Sequence, residues 1–232
     1  MSRAALDSAG FADFDPTDFD SVSAFDQAFR GTPSSMVDSL GGDLPMAVAH
    51  WAADPDAADR AFFVTPCTGP TLDVGCGPGR LVGALVDRGI PSLGIDVSAE
   101  AVRQTRERGA VALRRDVFSN LPGEGRWQFA LLADGNVGIG GDPVSLLGRL
   151  RELMTPDGRV IAEVAGPGVG IVRDSRRLRV GDRLSEPFAW AVVGLDAMSD
   201  LAAEVGLVVE TVQSLAGRHA VTLAAPSPGG RS

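Results

Sequence analysis

Leu72-Asp73-Val74-Gly75-Cys76-Gly77-Pro78-Gly79-Arg80 is an apolar run that breaks into glycines and then resumes with helical periodicity. Read as a β-strand ending in the start of a helix, it bares backbone where a ligand can approach closely. Its spacing is Gly-x-Gly-x-Gly. The dinucleotide fingerprint Gly-x-Gly-x-x-Gly needs its third glycine where Arg80 stands, so a pyrophosphate at this helix N-terminus is disfavoured. Asp73, two residues before the first glycine, would repel a pyrophosphate and suits a cationic ammonium.

Outward from this loop, short apolar runs alternate with helical periodicity, the pattern of a parallel sheet with covering helices. Residues 71–75 read as the first strand, 80–88 as a helix stopped by Gly89, and 92–96 as the second strand. Ser98 caps a helix to about residue 108, and 111–114 and 128–133 follow as strands. Asp142 and Pro143 open a helix with the stripe Leu146, Leu147, Leu150 and Leu153, and Pro156-Asp157-Gly158 turns it into a strand at 160–164. An Arg-rich section, a helix near 196–205, and a hairpin of 207–212 with 220–223 close the chain. Upstream, Asp20 is an N-cap candidate for a helix carrying Phe25 and Phe29, ended by Gly31 and Pro33. A Gly/Pro-rich stretch at 41–45, then His50 and Trp51, precede a second helix near 55–63. Residues 1–19 form a loosely ordered acidic arm whose Phe11, Phe14 and Phe19 are expected to pack on the body or close over a ligand. The expected organisation is an N-terminal arm and helices over the active site (1–66), a core (67–225) with an acceptor-site insertion at 166–190, and a disordered tail (226–232).

Composition narrows the function. The 232 residues carry a formal charge of −9, so there is no basic field for nucleic acid or an anionic membrane. Every one of the 21 Lys plus Arg cations is arginine and Tyr is absent, which excludes Schiff-base and P-loop lysine chemistry. Two Cys and two His are too few for a zinc cluster or a disulfide framework, and no metal is expected. With no apolar run near the roughly 20 residues that span a bilayer, and no export signal, the expectation is a cytoplasmic protein, monomeric or homodimeric.

Further acids follow the glycine loop in order. Asp96 ends the second strand, from which a carboxylate accepts both hydroxyls of a ribose. Arg115-Asp116-Val117-Phe118, after the third strand, offers a carboxylate to an exocyclic adenine amine and an aromatic ring to the base. Together these residues resemble the class I S-adenosylmethionine-dependent methyltransferases over roughly residues 68–224. The resemblance implies an α/β, Rossmann-like fold: a mostly parallel seven-stranded sheet with an antiparallel C-terminal hairpin and helices on both faces. It implies S-adenosyl-L-methionine as cofactor and S-adenosyl-L-homocysteine as product. Asp73, Gly75 and Gly77 would line the methionine portion, Asp96 the ribose, and Asp116 with Val117 the adenine. Cys76, Val97, Phe118 and Ala133 complete the expected cofactor set. Phe25 to Gly31 is similar to an N-terminal helix that covers the cofactor in small-molecule members, which adds Phe29.

Methyl transfer is an in-line displacement whose main requirement is placement in a water-poor pocket, so a dedicated base is optional. His50 and Asp134 are the candidate bases, with Asp142 behind them. The loop after the fourth strand, Asp134-Gly135-Asn136-Val137, lacks the Pro-Pro-aromatic clamp expected for exocyclic amines of DNA. A small-molecule acceptor is therefore expected, touched by Asn136, Trp190, Arg176 and Arg177. The cluster Arg173, Arg176, Arg177, Arg179 and Arg183 reads either as a solvated face or as a reader of an anionic acceptor. Two other classes stay open: a non-catalytic protein that keeps the cofactor pocket, and a nicotinamide-linked oxidoreductase, which the glycine spacing and the missing Tyr/Lys pair count against.

Overall fold

The computed structural model describes residues 19–226. The arm's Phe11 and Phe14 and the tail at 227–232 lie outside the described residues. The elements run α1 (Ser21–Phe29), β1 (Ser34–Val37), β2 (Asp43–Pro45), α2 (Val48–Trp51) and α3 (Ala57–Asp59), the last continuing as a π-helical turn, Arg60–Val64. Then follow β3 (Thr71–Val74), α4 (Arg80–Asp87), β4 (Ser92–Asp96), α5 (Ala99–Glu107), β5 (Ala112–Arg114), β6 (Trp127–Leu132), α6 (Pro143–Leu153) and β7 (Met154–Val164). The chain ends with β8 (Ile171–Val180), β9 (Arg183–Leu184), β10 (Phe188–Val193), α7 (Met198–Glu204), β11 (Val208–Leu215) and β12 (Arg218–Ala224).

The main sheet has seven strands in the order β11-β12-β7-β6-β3-β4-β5. Strands β3 to β7 run parallel, and the β11–β12 hairpin adds antiparallel to β7. Period-2 alternation buries both faces. On one face Leu72, Val74, Ala130, Leu132, Val160 and Ala162 meet the leucine stripe of α6 and Met198 and Leu201 of α7. On the other, Phe129, Leu131 and Ile161 meet Phe62 and Phe63 of the π-helical turn and Leu81 and Leu85 of α4. Helices therefore cover both faces, as the alternating sequence pattern requires. Pro156-Asp157-Gly158 makes a bulge inside β7 rather than a turn before it, since the register jumps from Trp127↔Met154 to Phe129↔Arg159.

A second, antiparallel sheet in the order β10-β8-β1-β2, with β9 paired to β8, lies beyond the sequence reading. The Gly/Pro-rich stretch at 41–45 holds the return strand of a hairpin, and the Arg-rich section is mostly β8. Strand β1 pairs with β8, Ser34↔Val180 to Val37↔Arg177, so the N-terminal segment and the 166–190 segment form one sheet. Its apolar side, Leu178 and Val180, packs on Ala24 of α1 with Phe25 and Phe188. Helix α1 is capped by Asp20, whose carboxylate accepts the Ser23 N–H at 2.9 Å. Asp26 fixes this helix to the core by accepting the Ser98 hydroxyl and the Glu100 N–H, the latter at 3.1 Å, at the N-terminus of α5. Phe19 bridges to Ser185, with the Arg183 guanidinium 4.2 Å from its ring centroid.

Candidate active site

A cavity of about 420 Å³ opens at the C-terminal ends of β3, β4, β5 and β6, between the parallel sheet and the antiparallel one. This is the sheet edge where open α/β folds bind ligands. Every residue expected to hold a cofactor lies on its lining, as do Asp134, Asn136 and Trp190. The glycine loop turns as it does because Gly75, Gly77 and Gly79 take φ of +69°, +52° and +88°. At Gly79 a Cβ would also sit 2.9 Å from the Cα of Thr105, so α4 and α5 could not approach.

Asp96 spans the loop and the next helix: Gly77 N–H donates to Oδ2 at 3.0 Å and Ser98 N–H to Oδ1 at 2.8 Å. Burial, opposed by these hydrogen bonds, pushes its carboxyl up to about 6. Asp73 is 2% exposed. Burial pushes it up to about 7, with Arg80 opposing and Asp134 and Asp96 adding to the rise. Cys76 is a small filler beneath the loop, 8% exposed, opposite Gly94, where any Cβ would meet its sulfur at 2.7 Å. Burial holds its thiol well above the ordinary range, so it is no nucleophile. Asp116 accepts the Phe118 N–H at 2.9 Å, and Phe118 is 45% exposed at the cavity rim.

Asp134 follows β6 with φ of +53°, a left-handed conformation that an aspartate tolerates better than most residues. Its N–H donates to Glu163 Oε2 at 2.9 Å, and its Oδ2 is ion-paired to Arg80. Arg80, 3% exposed, also pairs with the fully buried Asp59, and its Nη1 lies 2.9 Å from Nε2 of His50. A guanidinium carries only donors, so this Nε2 is the accepting nitrogen. Arg218 closes the network, reaching Asp59 at 2.8 Å, Asp56 at 3.1 Å and Glu163 at 2.7 Å. Burial raises the Asp134 carboxyl, and Arg80 opposes the rise. His50, Asp56 and Asp59 stand close enough to share a cation, but Arg80 and Arg218 already occupy Asp59 and Asp56. Sequence reasoning missed Arg80, Asp59, Glu163 and Arg218, which come from four distant segments.

Four expected site residues do not line the cavity: His50, Arg176, Arg177 and Asp142, the last accepting the Ser145 hydroxyl at the start of α6. His50 stands behind Arg80 with its Nε2 engaged, whereas its neighbour Trp51 lines the wall. Arg176 and Arg177 are absent from the lining, and as consecutive residues of a strand their side chains point to opposite faces. Arg176 lies across from Phe188 in the β8–β10 ladder, 3.5 Å from Asp174, with Nη1 at Met36. Arg177 points the other way and donates to the Ser185 carbonyl at 3.1 Å. Asn136 lines the cavity but spends its NH₂ on the carbonyls of Val74 and Gly75, both at 3.0 Å, tying the β6 loop to the glycine loop.

The buried acids make one pH dependence explicit. Asp73 is ordinarily ionised above about 3.8 and in the fold only above about 7. Between these values the folded state holds more protons than the unfolded chain, so this residue's stabilisation, complete at low pH, is lost as pH rises through about 7. D73N removes that slope and should raise stability at pH 8 by about 1–3 kcal/mol, read from urea unfolding at pH 5 and 8. A wild-type profile identical to that of the variant would contradict the assignment.

Residues 71–158 match a family model described as a methyltransferase domain. No curated protein sequence matches. Among solved structures, a SAM-dependent methyltransferase from Bacteroides fragilis in complex with S-adenosyl-L-homocysteine aligns with TM-score 0.76 at 19% identity, over 90% of this chain and 96% of that one. The CcbJ methyltransferase from Streptomyces caelestis aligns with TM-score 0.60 at 16% identity, over 76% and 92% of the two chains. The 1,6-didemethyltoxoflavin-N1-methyltransferase of Burkholderia thailandensis, with bound 1,6-didemethyltoxoflavin and S-adenosylhomocysteine, aligns with TM-score 0.55 at 17% identity, over 74% and 78%. The segment that carries the glycine loop and the acids after it, residues 71–158, thus matches a methyltransferase domain, on a Rossmann-like fold shared with the methyltransferase structures it aligns to.

Proposed function

We propose that the chain methylates a small-molecule acceptor with S-adenosyl-L-methionine. One observation carries the reading: Asp73, Asp96 and Asp134 converge on the cavity at the ends of β3, β4 and β6, two of them pushed up to about 7 and about 6. Such a site favours a cationic ligand and disfavours a pyrophosphate. A sulfonium with an α-ammonium and a ribose meets that donor set, with Asp96 for the ribose and Asp116, Val117 and Phe118 for the base. When bound, this cofactor supplies an electrophilic methyl group and leaves as S-adenosyl-L-homocysteine.

The chain's own residues supply placement, a dry cavity and a proton acceptor. In the reaction the acceptor heteroatom gains the methyl group and gives up its proton. Oδ2 of Asp134 is held by Arg80, while Oδ1, 4.0 Å from His50 Nε2, faces the role of proton acceptor. The raised carboxyl brings its basicity nearer to neutral pH. His50 acts through Arg80 as a positioning residue. The segment 20–51 and the 166–190 section close the acceptor side.

D96A should weaken S-adenosylmethionine binding by about 1.5–3 kcal/mol, roughly 10- to 150-fold, in calorimetry. Wild-type affinity should rise as pH goes from 5.5 to 8, because a cationic ligand expels the protons that Asp73 and Asp96 hold at low pH. Unchanged affinity in D96A, with a pH-independent wild type, would remove the cofactor assignment. Among the described residues no helix is long and apolar enough to cross a membrane.

A further inference from the structure

The acceptor side of the cavity is walled by rings. Trp51 lies 6.2 Å from Phe29, Phe29 6.4 Å from Phe25, Phe25 5.7 Å from Phe188 and Phe188 6.3 Å from Trp190, centroid to centroid. All of them line the cavity, and they come from α1, α2 and β10, outside the residues that match the methyltransferase family model. From Trp51 to Trp190 successive ring planes are inclined by 55°, 23°, 58° and 86°. Rings inclined in this way offer both faces and edges, the stacked and edge-to-face contacts that an aromatic partner prefers, and each ring adds a large apolar contact.

Charge selects further. Arg80 on the lining is closed by Asp59 and Asp134. Arg115 stands at the other end of the cavity, beside Asp116, with Nη1 on the Arg114 carbonyl. Just outside the ring wall, Arg176 and Asp174 face each other, across the ladder from Phe188 and Trp190. The lining carries Arg80 and Arg115 against Asp73, Asp96, Asp116 and Asp134, so an anionic acceptor would meet an excess of carboxylates, while Asp134 is already paired to Arg80, and Asp73 and Asp96 stand at the glycine-loop end. Asp134 Oδ1 leaves one acceptor site for a hydrogen-bond donor.

We infer that the methyl acceptor is an uncharged, planar aromatic or heteroaromatic molecule carrying an N–H or O–H donor, held against the Trp51-to-Trp190 ring wall with its donor toward Asp134. This rests on the proposed methyl-transfer reading, and it replaces an anion read by arginines with a neutral ring system.

The test uses the full chain saturated with S-adenosylhomocysteine, after calorimetry has shown that this product binds. Four probes are titrated: 4-hydroxyquinoline, the planar anion quinoline-4-carboxylate, benzyltrimethylammonium and cyclohexanol. The chain has three Trp and no Tyr, two of the Trp on the wall, so tryptophan quenching reports occupancy alongside calorimetry. The expected result is saturable binding of the hydroxyquinoline at least tenfold tighter than the other three. W190L and F188L should each weaken it at least tenfold while changing the S-adenosylhomocysteine Kd less than twofold, which also shows that each variant is folded. Tighter binding of the carboxylate or the ammonium, no binding of the hydroxyquinoline, or an unchanged Kd in both variants would overturn the inference. If the hydroxyquinoline binds but S-adenosylhomocysteine does not, the cofactor reading fails and the ring-wall assignment stands.

Discussion

Replacing Arg80 with alanine should lower the unfolding free energy by about 3–5 kcal/mol, since it strands a buried charge network. Its guanidinium is 3% exposed and shared between Asp59, which is fully buried, and Asp134. Without it, Asp59 retains Arg218 and the Asp56 N–H, and Asp134, already at positive φ, loses the ion pair that holds its Oδ2. Lysine at this position should recover only part of the loss, because one ammonium cannot match the two-armed geometry across Asp59 and Asp134. R80M is the informative control. It keeps most of the side-chain volume, so a loss as large as that of R80A assigns the effect to charge rather than to a cavity. Urea unfolding of the three variants measures this, and a loss below about 1 kcal/mol in R80A would show the network to be dispensable. The same variants should lose cofactor binding, because Asp134 and the start of α4 move together.

A valine at Gly138 should cost about 3 kcal/mol, the upper part of the usual range for overpacking, and should act on the acceptor wall more than on the cofactor end. A Cβ there would come within 1.8 Å of the Ala191 carbonyl oxygen and 2.9 Å of Trp190 Nε1. The first of these is backbone of β10, so the strand itself must move. Nearby, Ile139 makes an isolated bridge to Trp190, and a Cβ at Gly141 would meet the Ala189 Cβ at 2.8 Å. The glycines at 138–141 are therefore where the antiparallel sheet is seated on the core. The measurable signature of G138V is a fall in thermal stability with a shifted tryptophan emission from Trp190. If G138V melts like the wild type with unchanged emission, the contact is not the seat of β10.

These two positions also show what could be read from the chain and what could not. The glycine loop, Asp96 and the capped helices were legible because each is local. A strand that ends in Gly75-Cys76-Gly77, an N-cap such as Ser98, and a leucine stripe at 146–153 declare themselves within a few residues. From them followed the succession of parallel strands and the C-terminal hairpin, while the set of cofactor residues came with the resemblance that those motifs carry. Gly138 was visible as a glycine, but its reason, the Ala191 carbonyl pressed against it, lies 53 positions away (191 − 138).

The sequence by itself determined the βαβ core, its glycine loop and the acids at its strand ends, because hydrophobic period, turn residues and caps are set by short-range sterics and hydrogen bonding. Only the tertiary structure decided the ring-lined side of the cavity. The pairing of 34–37 with 177–180 turned an Arg-rich section into a strand, and strand alternation sent Arg176 to the side of Phe188 and Asp174, and Arg177 to the Ser185 carbonyl on the other. Helix α1, Trp51 and β10 then met as one aromatic wall, and Arg80 and Arg218 joined Asp59, Asp134 and Glu163 from distant segments. Contacts of that separation leave no periodic mark in the chain, because they depend on how whole sheets and helices pack rather than on what any residue's neighbours are.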